Sequence, residues 1–310
     1  MSGPLRSLLL AASTNPFLAG RLPRMTFVQR AARRFMPGEE PEDALREAAG
    51  LDERGAGTIL TLLGENVDDR ATARGVVDHY VDLLGTIRSR GLDTELSVKP
   101  TQLGLDLGRD VAAEGLADLV RAAGEDGTMV WIDMESSPYV DPTLELFRSL
   151  REEHENVGVC LQAYLYRTEA DLEALFPLAP AIRLVKGAYR EPTDLAYPRK
   201  SDVDANFMKL AAILLRARAE GRVGRPGIAT HDSRILRDVA TLAEREGVEP
   251  EAWEFEMLYG IGLADQAWAL EAGHGLRVLI SYGSHWFPWY MRRLAERPAN
   301  LWFVARKLVG

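Results

Sequence analysis

Eight short apolar runs, separated by longer stretches with helical spacing, constrain the fold of this chain more than any other feature. The runs occupy residues 58–63, 95–98, 129–132, 157–163, 182–185, 227–229, 253–257 and 276–280. Between them, segments such as 111–123 and 207–218 place apolar residues three and four positions apart, which is typical of amphipathic helices. Strands that alternate with helices predict a parallel sheet, and eight repeats are the number that closes a barrel. We therefore predict an α/β fold of the (β/α)8 TIM barrel type.

The residues before the first run predict helices rather than strands. Residues 26–35 and 41–49 have helical spacing, and the second segment carries two acidic residues in its first turn, where they favour a helix start. We divide the chain on this basis. Residues 1–57 are predicted to form an N-terminal helical extension, and residues 58–310 to form the (β/α)8 barrel catalytic domain.

The composition excludes several classes of protein. The chain has 310 residues, a net charge of −9 and 46% hydrophobic residues. This acidic balance disfavours a nucleic-acid binder, which needs a basic surface. A single cysteine, Cys160, does not allow an intrachain disulfide and suits a reducing compartment. No apolar run approaches the roughly 20 residues of a membrane-spanning helix or the roughly 7–15 of a signal-peptide core, so we expect a cytoplasmic protein.

The first 36 residues differ in charge from the rest of the chain, because they contain arginines but no acidic residue. The arginines are Arg6, Arg21, Arg24, Arg30, Arg33 and Arg34. One interpretation is peripheral contact with anionic lipid at the inner face of the membrane. The other is a solvated helix flank that packs on the barrel. The sequence leaves both interpretations open.

Polar residues follow the predicted strands at or just past their carboxyl ends. They are Glu65, Lys99, Asp133, Glu135, Gln162, Lys186, Thr230, His231, Asp232, Glu256 and Tyr282. The carboxyl ends of barrel strands meet at one face, and that face carries the active site in enzymes with this fold. We therefore predict an active site at the mouth of the barrel.

Two basic segments have more than one interpretation on their residues alone. In IRLVKGAYR (182–190), Lys186 could form a Schiff base as in a class I aldolase, contact a flavin or phosphate, or form an ion pair with Asp133 or Glu135. In MRRLAE (291–296), at the predicted start of a helix, the two arginines could clamp a carboxylate. The second segment also fits a surface helix in which Arg292 pairs with Glu296.

Other chemistries lack their usual motifs. The chain has no P-loop, no G-x-G-x-x-G after a strand and no G-x-S-x-G nucleophile elbow. The five histidines show no HExxH spacing and form no cluster with cysteine. The pair formed by Asp133 and Glu135 is a common pattern that does not define a metal site. We predict no metal.

Seven segments, taken together and in this order, resemble the proline dehydrogenase family. They are LSVKPTQLG (96–104), WIDME (131–135), CLQAYLYRT (160–168), IRLVKGAYRE (182–191), ATHD (229–232), FEMLYGI (255–261) and YMRRLAERPAN (290–300). The resemblance implies a distorted (β/α)8 barrel that binds FAD noncovalently. It also implies oxidation of L-proline to Δ1-pyrroline-5-carboxylate by hydride transfer from C5 to flavin N5, with electrons passed to a membrane quinone. A lyase of the class I aldolase type that uses Lys186 is the alternative.

The resemblance also assigns roles to residues that match the family motifs. Asp133 and Arg183 are implied as catalytic residues, with Asp133 interacting with Lys99 and Arg183 stabilising the reduced flavin. The substrate-binding set implied in this way is Lys99, Tyr189, Leu258, Arg292 and Arg293. The cofactor-binding set is Met134, Gln162, Val185, Lys186, Gly187, Ala188, Thr230 and His231.

Two further positions concern the substrate. Family members commonly carry a tyrosine in the eighth strand where this chain has Leu279, so discrimination against hydroxyproline through that hydroxyl is not implied here. Glu65, at the end of the first strand, is predicted to pair with Arg292 as a gate over bound substrate.

Overall fold

A closed barrel of eight parallel strands forms the centre of the protein. The computed structural model describes residues 25–296, without the side chains of residues 26, 27 and 292–296. Its strands are β1 (Gly57–Leu62), β2 (Thr94–Val98), β3 (Val130–Ile132), β4 (Val157–Gln162), β5 (Ala181–Val185), β6 (Arg225–Ala229), β7 (Glu254–Leu258) and β8 (Gly275–Tyr282). Each strand pairs with its sequence neighbour, and β1 also pairs with β8, which closes the sheet. The predicted (β/α)8 barrel is confirmed.

Within residues 25–296, ten α-helices surround or precede the strands. They are α1 (Thr26–Ala32), α2 (Pro41–Asp52), α3 (Arg70–Arg90), α4 (Arg109–Glu125), α5 (Val140–Arg151), α6 (Thr168–Glu173), α7 (Lys200–Ala219), α8 (Ser233–Arg245), α9 (Leu263–Glu271) and α10 (Trp286–Glu296). Helices α1 and α2 precede β1, and one of α3 to α10 follows each strand of the barrel. The first 24 residues of the predicted extension lie outside the described part of the chain.

The predicted strand bounds differ from the observed ones by one or two residues, and three helix predictions were wrong at one end. Helix α1 ends at Ala32, not at residue 35, and α2 continues to Asp52 beyond the predicted residue 49. Helix α10 begins at Trp286, five residues before the MRRLAE segment that was predicted to start it. The arginine pair therefore belongs to the second half of this helix.

The main core lies between the outer face of the strands and the helices. Leu60, Leu96 and Phe255 from the strands are fully buried there against helix residues such as Leu116 and Phe207. This covering of the outer face by helices explains why apolar residues recur along every strand.

A second, smaller core joins the N-terminal region to the helix after β8. Val28 of α1 and Phe35 pack against Phe287 and Tyr290 of α10, and the rings of Phe35 and Tyr290 lie 6.0 Å apart. Trp286 adds a hydrogen bond from Nε1 to Glu39, at 2.9 Å. Helix α10, which carries the predicted carboxylate clamp, is therefore held in place by the N-terminal region.

The interior of the barrel is charged at its lower end. Glu95, Arg225, Glu254 and Arg277 form a closed ring of alternating charge, which we call the lower ring. Arg225 contacts Glu95 at 2.6 Å and Glu254 at 2.5 Å, and Arg277 lies 3.3 Å from each of the same two carboxylates. Most barrels fill this space with branched apolar side chains. The lower ring closes the end of the barrel opposite the predicted site.

Candidate active site

A cluster of charged side chains stands above the lower ring, and Asp133 is at its centre. Asp133 directly follows β3, and its carboxylate accepts hydrogen bonds from Ser97 Oγ at 2.7 Å, Lys99 Nζ at 3.1 Å and Arg183 Nη1 at 3.2 Å. Ser97 and Lys99 lie two residues apart on and just after β2, so both side chains face the barrel axis. Strands β2 and β5 thus bring two cations onto the carboxylate that follows β3.

Arg183 connects this cluster to the middle of the barrel. It is only 3% exposed, pairs with the Glu256 carboxylate of β7 and donates to Ser97 Oγ at 2.8 Å. Its guanidinium stacks 4.7 Å from the centre of the Trp131 ring, and Trp131 Nε1 donates to Glu95 of the lower ring. The Nη2 atom of Arg183 is buried without a hydrogen-bond partner in the described part of the chain.

Asp133 and Lys99 keep their charged forms over a wide pH range. Burial raises the pKa of Asp133, but Lys99 and Arg183 outweigh it, so this pKa lies below its ordinary value. Burial lowers the pKa of Lys99, whereas Asp133 and Glu65 raise it to a net value above the ordinary one. Burial raises the pKa of Glu256 against the opposing effect of Arg183. Asp133 is therefore an ionic partner for two cations rather than a proton acceptor near neutral pH.

Lys186 belongs to a separate group of charges at the rim. Its Nζ lies 2.5 Å from Asp204 and 3.2 Å from Asp232, and Lys200 contacts the same two carboxylates. The sequence-based suggestion that Lys186 pairs with Asp133 or Glu135 was wrong. Asp204 lies on α7 and Lys186 lies just after β5, so no local helical or strand spacing relates the two residues. Only the packing of α7 beside β5 brings their side chains together.

The loop after β5 has a conformation that needs glycine. Gly187 has φ +108°, and a Cβ atom at this position would lie 2.2 Å from the ring of Tyr164. The backbone N–H of Tyr164 donates to the carbonyl of Lys186 at 2.9 Å. The half-buried residues Val185, Ala188 and Tyr189 complete this loop at the mouth.

The remaining predicted cofactor residues lie at the carboxyl ends of β3, β4 and β6. Gln162, at the end of β4, donates from Nε2 to the carbonyl of Met134 at 3.1 Å. Thr230 Oγ1 accepts the backbone N–H of Asp232 at 3.2 Å, and His231 Nε2 accepts that of Leu258 at 3.1 Å. These bonds fix the backbone and leave the loops facing the mouth.

Two residues of the predicted mouth lie elsewhere. Tyr282 is fully buried and faces outward, because its hydroxyl lies 2.7 Å from Nε2 of His79 on α3. Glu256 lies within β7, below the mouth, as the partner of Arg183. The side chains of Arg292 and Arg293 lie outside the described residues. Their predicted clamp, and the contact of Arg292 with Glu65, stay predictions.

Sequence reasoning missed Ser97 and the four residues of the lower ring. A signal was present, because Glu95, Ser97 and Lys99 alternate with apolar residues along β2. In a strand, this period of two places all three on one face. Fully apolar strands are the rule in parallel sheets, so a polar alternation in such a strand indicates an inward-facing polar interior.

The mouth has features that fit a large polar cofactor. Besides Arg183 Nη2, the Oε1 atom of Gln162 is buried without a hydrogen-bond partner in the described residues. Buried polar atoms without partners are rare in folded proteins. Both atoms belong to residues around the mouth, where a bound group with hydrogen-bonding atoms could reach them.

The barrel and its mouth define an enzyme of the (β/α)8 class, with an ion-paired polar cluster at the carboxyl ends of the strands. Comparison with known proteins then gives the family. The family model described as proline dehydrogenase matches residues 44–306. The chain belongs to the proline dehydrogenase family, a family of oxidoreductases in proline catabolism.

Individual relatives agree with this membership. The chain is 35% identical over 299 residues to proline dehydrogenase 2 of Bacillus subtilis strain 168, covering 96% of this chain and 97% of the relative. It is 37% identical over 283 residues to proline dehydrogenase of Deinococcus radiodurans, covering 90% of each. Among solved structures, proline utilization A from Bdellovibrio bacteriovorus, inactivated by N-propargylglycine, matches with a TM-score of 0.81 and 25% identity. That match covers 94% of this chain and 36% of the other.

Among the described residues, no helix combines the length and the apolar character needed to cross a bilayer.

Proposed function

We propose that the protein oxidises L-proline to Δ1-pyrroline-5-carboxylate with noncovalently bound FAD. The observation that carries the proposal is the ionic cluster of Lys99, Asp133 and Arg183 at the mouth of a barrel of this family. FAD would supply the acceptor for the hydride that leaves C5 of proline, the ring nitrogen would release its proton to water, and a membrane quinone would receive the two electrons.

The residues proposed to hold the cofactor surround the mouth. They are Met134, Gln162, Val185, Lys186, Gly187, Ala188, Thr230 and His231. Arg183 adds a fixed positive charge from below, since Asp133 and Glu256 hold its guanidinium in place. A preorganised cation stabilises negative charge that develops during reaction. The buried Arg183 is therefore proposed as a catalytic residue through its charge.

The substrate is proposed to be held by its carboxylate. Lys99, Arg292 and Arg293 supply the positive charge for this contact, while Leu258 and Tyr189 face the pyrrolidine ring. Asp133 orients Lys99 by a 3.1 Å contact and offsets its charge near the substrate. The ring nitrogen develops positive charge as the imine forms, so cations are best kept at the carboxylate end. Fixed orientation of the bound ring accounts for much of the rate.

Anaerobic addition of L-proline to the purified protein tests this function. We expect a yellow protein whose flavin absorbance near 450 nm is bleached by proline, and recovery when a soluble quinone is added. A protein that binds flavin but is not bleached would contradict the proposal.

Reductive trapping of a keto substrate on Lys186 by borohydride would support the aldolase alternative. The structure disfavours that alternative, because two carboxylates engage Lys186 Nζ, whereas Schiff-base lysines are activated in a desolvated or cationic setting.

Peripheral membrane contact is proposed for the N-terminal region. Arg30, Arg33 and Arg34 are exposed on and just after α1. Each arginine near an anionic surface contributes about 1 kcal/mol to membrane binding. The double variant Arg30→Glu/Arg33→Glu should therefore lose at least roughly tenfold in co-sedimentation with anionic vesicles. The matched control Arg121→Glu/Arg245→Glu changes exposed arginines elsewhere. Equal losses in the two variants would contradict a local contact.

Leu279→Ser is expected to weaken the preference for L-proline over trans-4-hydroxy-L-proline. Leu258 and Leu279 are register partners on β7 and β8, and both are partly exposed at the mouth. A ring hydroxyl against two leucines would lose its hydrogen bonds to water without replacement. We expect the unaltered protein to favour proline by about 10–100-fold in kcat/KM. The serine variant should reduce this ratio several-fold.

The control for this experiment is Leu263→Ser, which changes a leucine that is 65% exposed on α9. Its ratio should equal that of the unaltered protein. An unchanged ratio in Leu279→Ser would show that the leucine pair does not contribute to substrate selection.

A further inference from the structure

Asn66, the residue after the predicted gate Glu65, has an unusual backbone conformation. Its φ is +53°, and Ala179 at +43° is the other non-glycine residue with positive φ in the described part of the chain. The left-handed region costs an ordinary residue about 1–2 kcal/mol and is tolerated best by asparagine and aspartate. A residue stays in this region when its surroundings hold it there.

Hydrogen bonds to the buried residue Thr101 hold the backbone of Asn66. Its N–H donates to Thr101 Oγ1 at 3.1 Å, and the N–H of Val67 donates to the carbonyl of Thr101 at 3.1 Å. Thr101 in turn donates from Oγ1 and from its N–H to the Glu135 carboxylate, at 2.6 and 3.0 Å. Thr101 is fully buried and Glu135 is 3% exposed, so this anchor is shielded from water. Glu135 thus fixes the loop after β1 through Thr101.

The side chain of Asn66 makes a second set of contacts nearer the surface. Its Nδ2 donates to Asp106 Oδ2 at 2.9 Å and to the Tyr139 hydroxyl at 3.2 Å. The same hydroxyl donates to Asp106 Oδ1 at 2.8 Å. These residues come from the loops after β1, β2 and β3. We call the set of Asn66, Thr101, Asp106, Glu135 and Tyr139 the three-loop clamp.

The position of Glu65 follows from the three-loop clamp. Glu65 is half-buried. Its negative charge raises the pKa of Lys99 and of Glu135, although burial and nearer partners affect both pKa values more strongly. Glu65 lies three residues past the carboxyl end of β1, at the mouth of the barrel, and directly precedes Asn66. A rotation about the Asn66 backbone would turn Glu65 away.

We propose that Asn66 is a positioning residue, which acts on substrate binding by holding Glu65 over the mouth. The inference rests on the proposed function, in which Glu65 closes over bound proline. It explains three features together: the left-handed asparagine, the buried Glu135 anchor and the side-chain contacts to two further loops. It also gives Glu135 a role as an anchor of the backbone.

A double-mutant cycle tests the proposal, with KM and kcat for proline measured for Glu65→Ala, Asn66→Ala and the double variant. Asn66→Ala should raise KM by about tenfold, the factor that corresponds to about 1.4 kcal/mol of lost conformational preference, and change kcat less. The double variant should have the KM of Glu65→Ala, since Asn66 acts through Glu65. Asn66→Gly, which tolerates positive φ, should restore most of the affinity.

Two controls keep the outcomes separate. Ala179→Gly relaxes the other left-handed residue, in the loop before β5, and should leave KM unchanged. Hydrogen exchange at the amides of Asn66 and Val67 should accelerate in Asn66→Ala without any substrate. Additive KM effects in the double variant, or equal KM values for the alanine and glycine variants, would overturn the proposal. If proline does not reduce the flavin of the unaltered protein, the proposed function itself is refuted.

Discussion

Arg183→Met is expected to abolish measurable proline oxidation and to lower the free energy of unfolding by about 3–5 kcal/mol. Arg183 is 3% exposed and pairs with Glu256, which is equally buried, as well as with Asp133. Methionine fills much of the volume but leaves the buried Glu256 carboxylate without its partner. The same change removes the fixed positive charge proposed to act beneath the flavin. Steady-state kinetics and urea unfolding measure the two effects.

A second variant separates these two effects. In Arg183→Met/Glu256→Gln both members of the buried pair are neutral, so most of the lost stability should return. Activity should not return, because the cation is still absent. If the double variant recovered activity with stability, Arg183 would serve only the fold. Normal kcat in the single variant would contradict the proposed role directly.

Asp133→Asn is expected to lower kcat/KM for proline by about a hundredfold, which corresponds to roughly 3 kcal/mol of transition-state stabilisation. The carboxylate accepts hydrogen bonds from Lys99, Arg183 and Ser97. Asparagine preserves the shape but cannot offset two cations, so Lys99 loses the contact that directs it. The effect should lie mainly in KM if Lys99 only binds the substrate carboxylate. It should also appear in kcat if Lys99 orients the pyrrolidine ring.

The matched control for this variant is Asp78→Asn. Asp78 is 58% exposed and pairs with Arg74 one turn away on α3. The kcat/KM of Asp78→Asn should therefore equal that of the unaltered protein within error. A loss of similar size in both variants would indicate general destabilisation rather than a change in the site.

The pH dependence of this ion pair follows from the two pKa shifts. The pKa of Asp133 is below its ordinary 3.8 in the folded protein, so its contribution is present above that value and is lost as the pH falls further. The pKa of Lys99 is above its ordinary 10.5, so its contribution is complete below that value and is lost only as the pH rises past the raised one. The pair is therefore intact from about pH 5 to 9. Any change in kcat for proline oxidation within this pH range is due to the titration of other groups.

The sequence predicted the fold well for a physical reason. The outer face of each strand must be apolar because helices cover it, and the helices between the strands must have one apolar side, so both periods are present in the sequence. The predicted strand ends were off by one or two residues. Helix α10 shows the limit of this kind of prediction, because the aromatic residues of its first turn do not distinguish a helix start from a buried loop. Its start is set by packing against α1 and Phe35.

The residues of the site were harder to predict than their location. That Lys99 and Asp133 follow neighbouring strands could be read from the sequence. The partners of Lys186 could not, since Asp204 and Asp232 lie 18 and 46 positions away along the chain. Tyr282 was placed at the mouth on its position alone, but the last residue of a strand faces inward or outward according to the register, and its hydroxyl contacts His79.

The sequence by itself determined the eight strands, their alternation with helices and the face at which polar side chains collect. These properties depend on local periodicity and on the direction of the chain. Only the tertiary structure decided which charges meet: the lower ring, the pairing of Arg183 with Glu256 and the three-loop clamp around Asn66. Each joins strands or loops that are distant in sequence, and closure of the barrel sets their spacing. A buried charge is tolerated only with its partner, so the fold and the site were fixed together.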